Sequence, residues 1–376
     1  MIKGTKLEIV FGFRKRYRKA CKKEKGQILG TLVSVTGYSR KHLMEVLSSQ
    51  FHKKKRIKRE RVSKYLPIFN SLKEIWKISN FASGQRFQPM IGIYIDSLER
   101  HHEINLSEEE KTLLLTISSA TIDRLLKKER RKLNGKGKAG TKPGTLLKNQ
   151  IPIRTWMDWN NKTPGFLEID TVHNCGSSLN GNYVHTLDTT DVATSWNECV
   201  AFLGGNERFT IKALEEIKTR IPFPILGIDF DSGAEFVNWY LVKYCDKNKI
   251  IYTRSREGYK NDQAYIEQQN FSVVRRFVGY KRLDTWEELA NVNQLYLKLS
   301  DYQNFFQSVM RLKSKERDGA HMKRIYFKAT TAYQKVMEHP KISEKTKDKL
   351  KEKFLSLSPK KLLEEIEILT EKLYRI

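Results

Sequence analysis

Between residues 164 and 282 the sequence alternates β-rich runs with amphipathic helical runs, and this order constrains the fold more than any other feature. Three β-rich runs come first, a helical run follows, and strand and helix patterns then alternate. Such an order is typical of an α/β domain whose mixed sheet is flanked by helices. The strand-like runs cover residues 166–172, 182–189, 196–203, 223–229 and 249–253.

The fourth of these runs ends on acids. In the segment PILGIDFDSGAEF, Asp229 and Asp231 stand at the end of an apolar, strand-like run. Asp170 lies near the end of the first run, and Glu267 lies in a helical pattern that begins near Asp262. Carboxylates gathered at one edge of a sheet repel one another, and a divalent cation compensates that repulsion. Mg²⁺ suits such a site because it prefers oxygen ligands, and Mn²⁺ is expected to substitute for it.

The charge of the chain is strongly unbalanced. Its 70 Lys and Arg residues exceed its 43 Asp and Glu residues, which gives a formal net charge of +27. This excess indicates a polyanionic partner, with nucleic acid ahead of an anionic membrane. No apolar run approaches the ~20 residues of a membrane span, and no secretion signal begins the chain, so we expect a cytoplasmic, nucleoid-associated bacterial protein without a membrane partner.

The segment from Gln27 to Leu47 resembles a helix-turn-helix motif. Two short apolar helical patterns flank Gly37, and Ser39 can cap the second. An ordinary helical hairpin would give the same pattern, so both interpretations stay open. Three side chains stand where a reader of the major groove exposes its contacts, namely Arg40, Lys41 and His42.

A second candidate lies between Ser107 and Lys132. Ser107 and Glu110 form a capping-box pattern, and basic residues recur on the helix that follows. The basic stripe includes Arg124, Lys127 and Lys128. We therefore predict four regions: a helical DNA-binding region, a basic linker rich in Gly, Pro and Lys, a catalytic core, and a helical C-terminal region. Their predicted bounds are residues 1–132, 133–163, 164–282 and 283–376.

Three motifs together carry a resemblance to a known family. EIDTV, DFDSGAEF and KNDQAYIEQQN resemble the catalytic core of the retroviral integrase superfamily, which includes the DDE transposases. The spacing is the specific feature, since 35 residues lie between Asp231 and Glu267. It favours Asp231 over Asp229, which we interpret as a strand-end acid. More broadly, the chain is similar to bacterial insertion-sequence transposases whose integrase-type core follows helix-turn-helix modules.

The resemblance implies a fold, a reaction and partners. The core would be RNase H-like, with Asp170, Asp231 and Glu267 as catalytic residues that hold two Mg²⁺ ions. The enzyme would nick the 3′ ends of a DNA element and transfer them into target DNA. Its partners would be double-stranded terminal-repeat and target DNA, and a second copy of the chain, since two element ends must be handled together. No His-His-Cys-Cys module is visible, so no zinc is expected.

Several neighbours of the acids are candidates for DNA contact or assistance. Gln263 and Asn270 lie one turn either side of Glu267 on a shared helical face. The remaining candidates are Lys260 and Asn261 in the loop before that helix, Arg275 after it, and His173 three residues past Asp170 as a possible assisting residue.

Two other functions remain compatible with the sequence. A catalytically inactive or domesticated DNA-binding protein could keep the core as a scaffold. An RNase H-like nuclease would act on RNA or hybrids, although the helix-turn-helix candidates disfavour it.

Overall fold

The computed structural model describes residues 3–48, 63–133, 163–205, 207–230, 239–254, 266, 270–318 and 321–375. Two compact units divide the chain, Met1–Ser63 and Lys64–Ile376. The four predicted regional bounds stay predictions. No helix in the described ranges has the length and apolar character needed to cross a membrane.

The first unit is a small bundle of three helices, α1 (Lys3–Lys19), α2 (Lys22–Thr36) and α3 (Arg40–Ser48). Gly37 ends α2 in the left-handed conformation, with φ of 69°, and its N–H bonds to the carbonyl of Val33. The two helices predicted around a glycine turn are therefore present. Their apolar faces meet in a core of Val10, Tyr17, Ile28, Leu29, Leu32, Leu43, Val46 and Leu47.

The second unit begins with short helices: α4 (Phe69–Ile78), α5 (Gly84–Phe87), α6 (Ile91–Arg100), α7 (Glu108–Thr116), α8 (Ser119–Leu125) and α9 (Lys127–Lys132). The predicted caps are present. Ser107 and Glu110 form a reciprocal capping box at α7, and Ser118 accepts from Thr121 N–H at α8.

A five-stranded mixed sheet forms the centre of this unit, as predicted. Its strands are β1 (Phe166–Asn174), β2 (Val184–Asp191), β3 (Asn197–Leu203), β4 (Gly227–Phe230) and β5 (Ile251–Arg254). They lie in the order β3-β2-β1-β4-β5. β2 is antiparallel to both of its neighbours, and β4 is parallel to β1 and β5. This order and these directions are those of an RNase H-like sheet.

Helices flank the sheet: α10 (Glu207–Arg220), α11 (Trp239–Asn248), a π-helical segment (Asn270–Arg275) and α12 (Trp286–Phe306). A capping box of Thr285 and Glu288 starts α12. Helix α12 packs against β3 and against the C-terminal helix Pro359–Arg375, and hydrogen bonds join it to the helices of residues 69–100. Tyr94 and Tyr302 illustrate this, since their hydroxyls donate to the carbonyls of Phe306 and Ile78. The helices of residues 69–132 and the sheet therefore share one core.

The C-terminal region is helical but also contains strands. After α12 come β6 (Ser308–Val309), β7 (Leu312–Asp318), β8 (His321–Tyr326) and β9 (Thr330–Thr331), followed by α13 (Ala332–Glu338), α14 (Glu344–Ser356) and α15 (Pro359–Arg375). The purely helical prediction for this stretch was incomplete. The Asp318-Gly319 dipeptide between two strand-length runs is a hairpin signal, but the many charges in those runs obscured the strand pattern.

Candidate active site

Asp170 lies in β1, the central strand of the sheet. It pairs with Asp188 of the antiparallel neighbour β2. On the other side, the parallel register with β4 ends at the pair Ile169 and Phe230. The residues that follow this pair in sequence are Asp170 after Ile169 and Asp231 after Phe230. Asp231 lies outside the described residues. The backbone register thus brings the residue before Asp231 to the residue before Asp170.

Both oxygens of the Asp170 carboxylate accept hydrogen bonds. Oδ1 accepts from the N–H of Thr171 at 2.8 Å, and Oδ2 accepts from Nδ2 of Asn270. The side chain is half-buried, so it is held in orientation but remains accessible from the surface. Asn270 was predicted to contact DNA or orient the glutamate. Its described contact is with the first aspartate, and its role toward DNA stays a prediction.

Glu168 makes a second contact between β1 and this part of the sequence, at Ile266, four residues before Asn270. Its Oε2 accepts the backbone N–H of Ile266 at 3.1 Å, and both side chains are buried. Residues two apart in a strand lie on the same face, so Glu168 and Asp170 point to the same side of the sheet. Ile266 immediately precedes Glu267, which itself lies outside the described residues. Ile266 and Asn270 are therefore both hydrogen-bonded to β1, at Glu168 and at Asp170.

The π-helical segment begins at Asn270. π-helical turns are rare and occur frequently at functional sites, because the wider turn redirects side chains. At its end, Arg275 donates to the carbonyls of His173 (3.0 Å) and Gly279 (3.2 Å), and its guanidinium stacks 4.7 Å from the ring of Tyr280. Burial lowers the pKa of Arg275. These contacts support a structural role, while the predicted DNA contact of Arg275 stays a prediction.

A buried acid lies directly beside Asp170. Asp188 is fully buried, and its Oδ1 accepts from Asn197 Nδ2 at 2.5 Å and from Cys199 Sγ at 3.4 Å. Burial raises its pKa to about 7, with the hydrogen bonds opposing the rise and the nearby charge of Asp170 adding to it. Within the described residues, its Oδ2 is buried without a hydrogen-bond partner. A protonated Asp188 would leave less negative charge beside Asp170.

Asp229 has a partner in the neighbouring strand. It is fully buried, and its Oδ1 accepts from the hydroxyl of Thr253 at 2.6 Å, the residue it pairs with in β5. This contact agrees with the interpretation of Asp229 as a structural strand-end acid.

His173 points away from Asp170. The register of β1 with β2 is unbroken across both residues, so positions 170 and 173 lie on opposite faces of the sheet. There the His173 ring meets His185 edge-on at 4.7 Å, and Tyr183 stacks on His185 at 4.5 Å. The strand geometry therefore places His173 on the face opposite Asp170, and its assisting role stays a prediction.

The predicted DNA-binding residues fall in three places. Arg40, Lys41 and His42 are exposed in the first turn of α3. Arg124 is exposed and donates to Ala120 O and Thr121 Oγ1 of its own helix. Lys127 and Lys128 are exposed at the start of α9, whereas Lys260, Asn261 and Gln263 lie outside the described residues.

The donor chemistry of the site fits a divalent cation. Asp170 offers oriented carboxylate oxygens, which suit Mg²⁺, and Asp188 adds a buried oxygen without a partner in the described chain. In the part of the chain that the structure describes, no group of three or more His, Cys, Asp and Glu side chains could hold a metal. Asp231 and Glu267 are outside that part, so the predicted triad stays a prediction.

Sequence reasoning did not identify Glu168, Asp188 or Asn197. The spacing of Glu168 and Asp170 was a usable signal, because two acids at alternate positions of a strand share a face. Asp188 and Asn197 left no such signal, since their proximity depends on the register of strands β1, β2 and β3.

Comparisons with known proteins give one relative of high coverage. The chain is 38% identical over 324 residues to the "Uncharacterized protein y4rM" of Sinorhizobium fredii strain NGR234. The aligned region covers 86% of this chain and 92% of that protein. No family model matches the chain.

Two solved structures are also similar, at a low level. The HTLV-2 integrase catalytic core domain in complex with magnesium has a TM-score of 0.30 and 14% identity, covering 39% of this chain and 90% of that chain. The simian T-cell lymphotropic virus intasome in complex with a PP2A regulatory subunit has a TM-score of 0.32 and 12% identity, covering 56% and 68%. Structural similarity with TM-scores this low does not indicate a shared function.

Proposed function

This chain belongs to the family of the Sinorhizobium fredii protein y4rM, and we propose that it is a DDE-type DNA transposase. It nicks the 3′ ends of a DNA element and joins them to target DNA. Asp170, Asp231 and Glu267 are the catalytic carboxylates. The observation that carries the proposal is that three segments meet at β1. Phe230 pairs with Ile169, the residue before Asp170. Ile266 is hydrogen-bonded to Glu168, and Asn270 is hydrogen-bonded to Asp170.

This convergence concerns three distant parts of the chain. Phe230 precedes Asp231, and Ile266 and Asn270 lie on either side of Glu267 in sequence; all three contact one short stretch of the central strand. Carboxylates of Asp231 and Glu267 close to Asp170 would be costly without a compensating charge. A divalent cation for phosphate chemistry would supply that charge.

The proposed metal would be Mg²⁺, held by Asp170, Asp231 and Glu267. When bound, it would supply Lewis acidity at the scissile phosphate and lower the pKa of the attacking water or 3′-hydroxyl. The chain's own residues prepare the site. Asn270 and the N–H of Thr171 fix the orientation of the Asp170 carboxylate, and Glu168 holds the backbone at Ile266 against β1.

Duplex DNA is the proposed substrate and a second copy of this chain the proposed partner. The net charge of +27 favours a polyanion, and the exposed basic residues of α3 and α9 offer phosphate contacts. Two element ends must be joined in one event, which calls for at least two active sites.

The test is a nicking and joining assay on labelled duplex that carries the DNA flanking the reading frame. With Mg²⁺ and the wild type, we expect nicks at the element ends and joined products, and with EDTA neither. Asp231→Asn should abolish both reactions while duplex affinity changes less than about twofold. Asp229→Asn is the matched control and should stay active. Joining by Asp231→Asn, or preferential cleavage of RNA–DNA hybrid, would contradict the proposal.

A further inference from the structure

Strands β7 and β8 form a two-stranded antiparallel ribbon, Leu312–Asp318 with His321–Tyr326, which we name the basic ribbon. It is a sheet of its own, separate from the five-stranded sheet and from the β6–β9 pair. Every described side chain of its two strands is exposed or half-buried. A two-stranded ribbon with no packed face is marginally stable in water. Packing of the described side chains into the core therefore does not account for the basic ribbon.

The charge of the ribbon is one-sided. Residues 311–328 contain seven Lys or Arg residues and two acids. Cross-strand partners share a face and successive pairs alternate between faces. The pairs of Glu316 with Lys323 and of Asp318 with His321 fall on one face, where Lys323 lies 3.7 Å from the Glu316 carboxylate. Both acids therefore fall on this face, which we name the neutral face.

Three basic positions of the ribbon fall on the opposite face. Lys315 pairs directly with Arg324, and Arg317 lies two positions from Lys315 on the same face. These three positions define the cationic face. The sequence places Lys, Arg and Arg at these positions, and this excess of positive charge makes a polyanion the expected ligand of this face.

The root of the ribbon is fixed to the second unit. Arg311, just before β7, donates to the carbonyl of Val192 and to Oγ of Ser195 (3.2 Å), in the turn that joins β2 and β3. Phe327, just after β8, donates its N–H to the carbonyl of Arg311 at 2.9 Å. Below this point β6 pairs with β9. The ribbon is thus a projection held at its base by the sheet.

We propose that the basic ribbon is a DNA-binding surface that enters the major groove of duplex DNA, with its cationic face toward the DNA. The B-DNA major groove is about 12 Å wide and admits a two-stranded ribbon. Arg317 and Arg324 can each donate to phosphate or to guanine edges, and the exposed rings of Tyr326 and Phe327 flank the root. The inference rests on the proposed function in taking DNA as the partner.

The experiment compares two double variants of the full chain. Arg317→Ala/Arg324→Ala removes two charges from the cationic face. Lys323→Ala/Lys345→Ala removes the same charge from the neutral face and from exposed α14. Affinity for a labelled duplex is measured by fluorescence anisotropy across a series of salt concentrations. Guanine N7 atoms, which lie in the major groove, are probed by protection from dimethyl sulfate.

The cationic-face variant should bind duplex at least about tenfold more weakly, with a salt slope smaller by about two, since each lost phosphate contact lowers it by about 0.9. It should also lose part of the guanine N7 protection. The control should change affinity less than about twofold. Thermal unfolding midpoints should match the wild type, because the altered side chains are exposed.

Equal affinity and protection in both variants would overturn the ribbon proposal and leave the transposase proposal intact. Ribbon-dependent binding by an enzyme that never nicks DNA would overturn the transposase proposal alone. Stronger loss of single-stranded RNA binding than of duplex binding would overturn the assignment of duplex DNA as the partner.

Discussion

Nδ2 of Asn270 donates a hydrogen bond to Oδ2 of Asp170, although the two residues are 100 positions apart in the chain. The bond connects the first turn of a π-helical segment to the centre of the sheet. It fixes the orientation of a carboxylate that would otherwise rotate. Asn270 is therefore expected to act as a positioning residue for Asp170.

Replacing Asn270 by Ala should lower the single-turnover nicking rate about 10- to 100-fold, the usual effect of losing a partner that orients a metal ligand. The Mg²⁺ concentration for half-maximal rate should rise, and duplex affinity should stay unchanged. Rate measurements over a Mg²⁺ titration test this.

The matched control is Asn293→Ala, which removes an asparagine that exchanges two hydrogen bonds with Ala201 of β3. It should lower stability without altering the Mg²⁺ requirement. An equal shift in Mg²⁺ requirement for both variants would contradict the positioning role of Asn270.

Glu168 should matter for stability through its bond to Ile266. Glu168→Ala leaves a buried N–H without its acceptor, which costs about 1–3 kcal/mol in free energy of unfolding. Glu168→Gln keeps an acceptor oxygen and should cost less. Urea unfolding measures both. Equal stabilities of the two variants would show that the bond does not hold this stretch.

The elements of the sheet were predictable because each strand carries its own local pattern of β-rich residues ended by turns. The caps of α7 and α8 were predictable for the same reason, since Ser107, Glu110 and Ser118 lie within one turn of the bonds they make. The contacts of Asp188 were not, because they depend on strand register. The basic ribbon was missed because the charged residues of β7 and β8 conceal an alternation that only pairing makes visible.

The burial of Lys335 should make the free energy of unfolding depend on pH. Burial and the nearby Arg311 lower its pKa to about 7, with Asp191 opposing the shift. Between pH 7 and about 10 the unfolded chain therefore holds a proton that the folded chain has lost, and this makes stability rise with pH. Lys335→Met should be more stable than the wild type below pH 7, and this advantage should shrink by up to roughly 4–5 kcal/mol toward pH 10, since one pKa unit corresponds to about 1.4 kcal/mol.

Urea unfolding at pH 6, 8 and 9.5 measures this difference. Lys345→Met, at an exposed position of α14, is the control and should show no trend with pH. A stability difference for Lys335→Met that stays constant across the range would contradict the lowered pKa.

Replacing Gly30, inside α2, and Gly37, at the end of α2, by Ala should change the stability of the first unit in opposite directions. Gly37 has φ of 69°, which an L-residue adopts at a cost of about 1–2 kcal/mol, so Gly37→Ala should destabilise the first unit. Gly30 lies inside α2 with open space around it, so Gly30→Ala should stabilise by about 0.5–1 kcal/mol. Hydrogen exchange of peptides from residues 3–48 in the full chain compares them. Changes of the same sign would contradict the helix–turn–helix geometry.

Asp170, Asp231 and Glu267 are proposed to bind divalent metal together. Electron paramagnetic resonance of Mn²⁺, titrated into the protein bound to duplex DNA, measures this directly. We predict that the wild type and Asp229→Asn bind Mn²⁺ with similar affinity, and that Asp170→Asn, Asp231→Asn and Glu267→Gln each weaken binding at least about tenfold. Unchanged Mn²⁺ binding in the three triad variants would contradict the account.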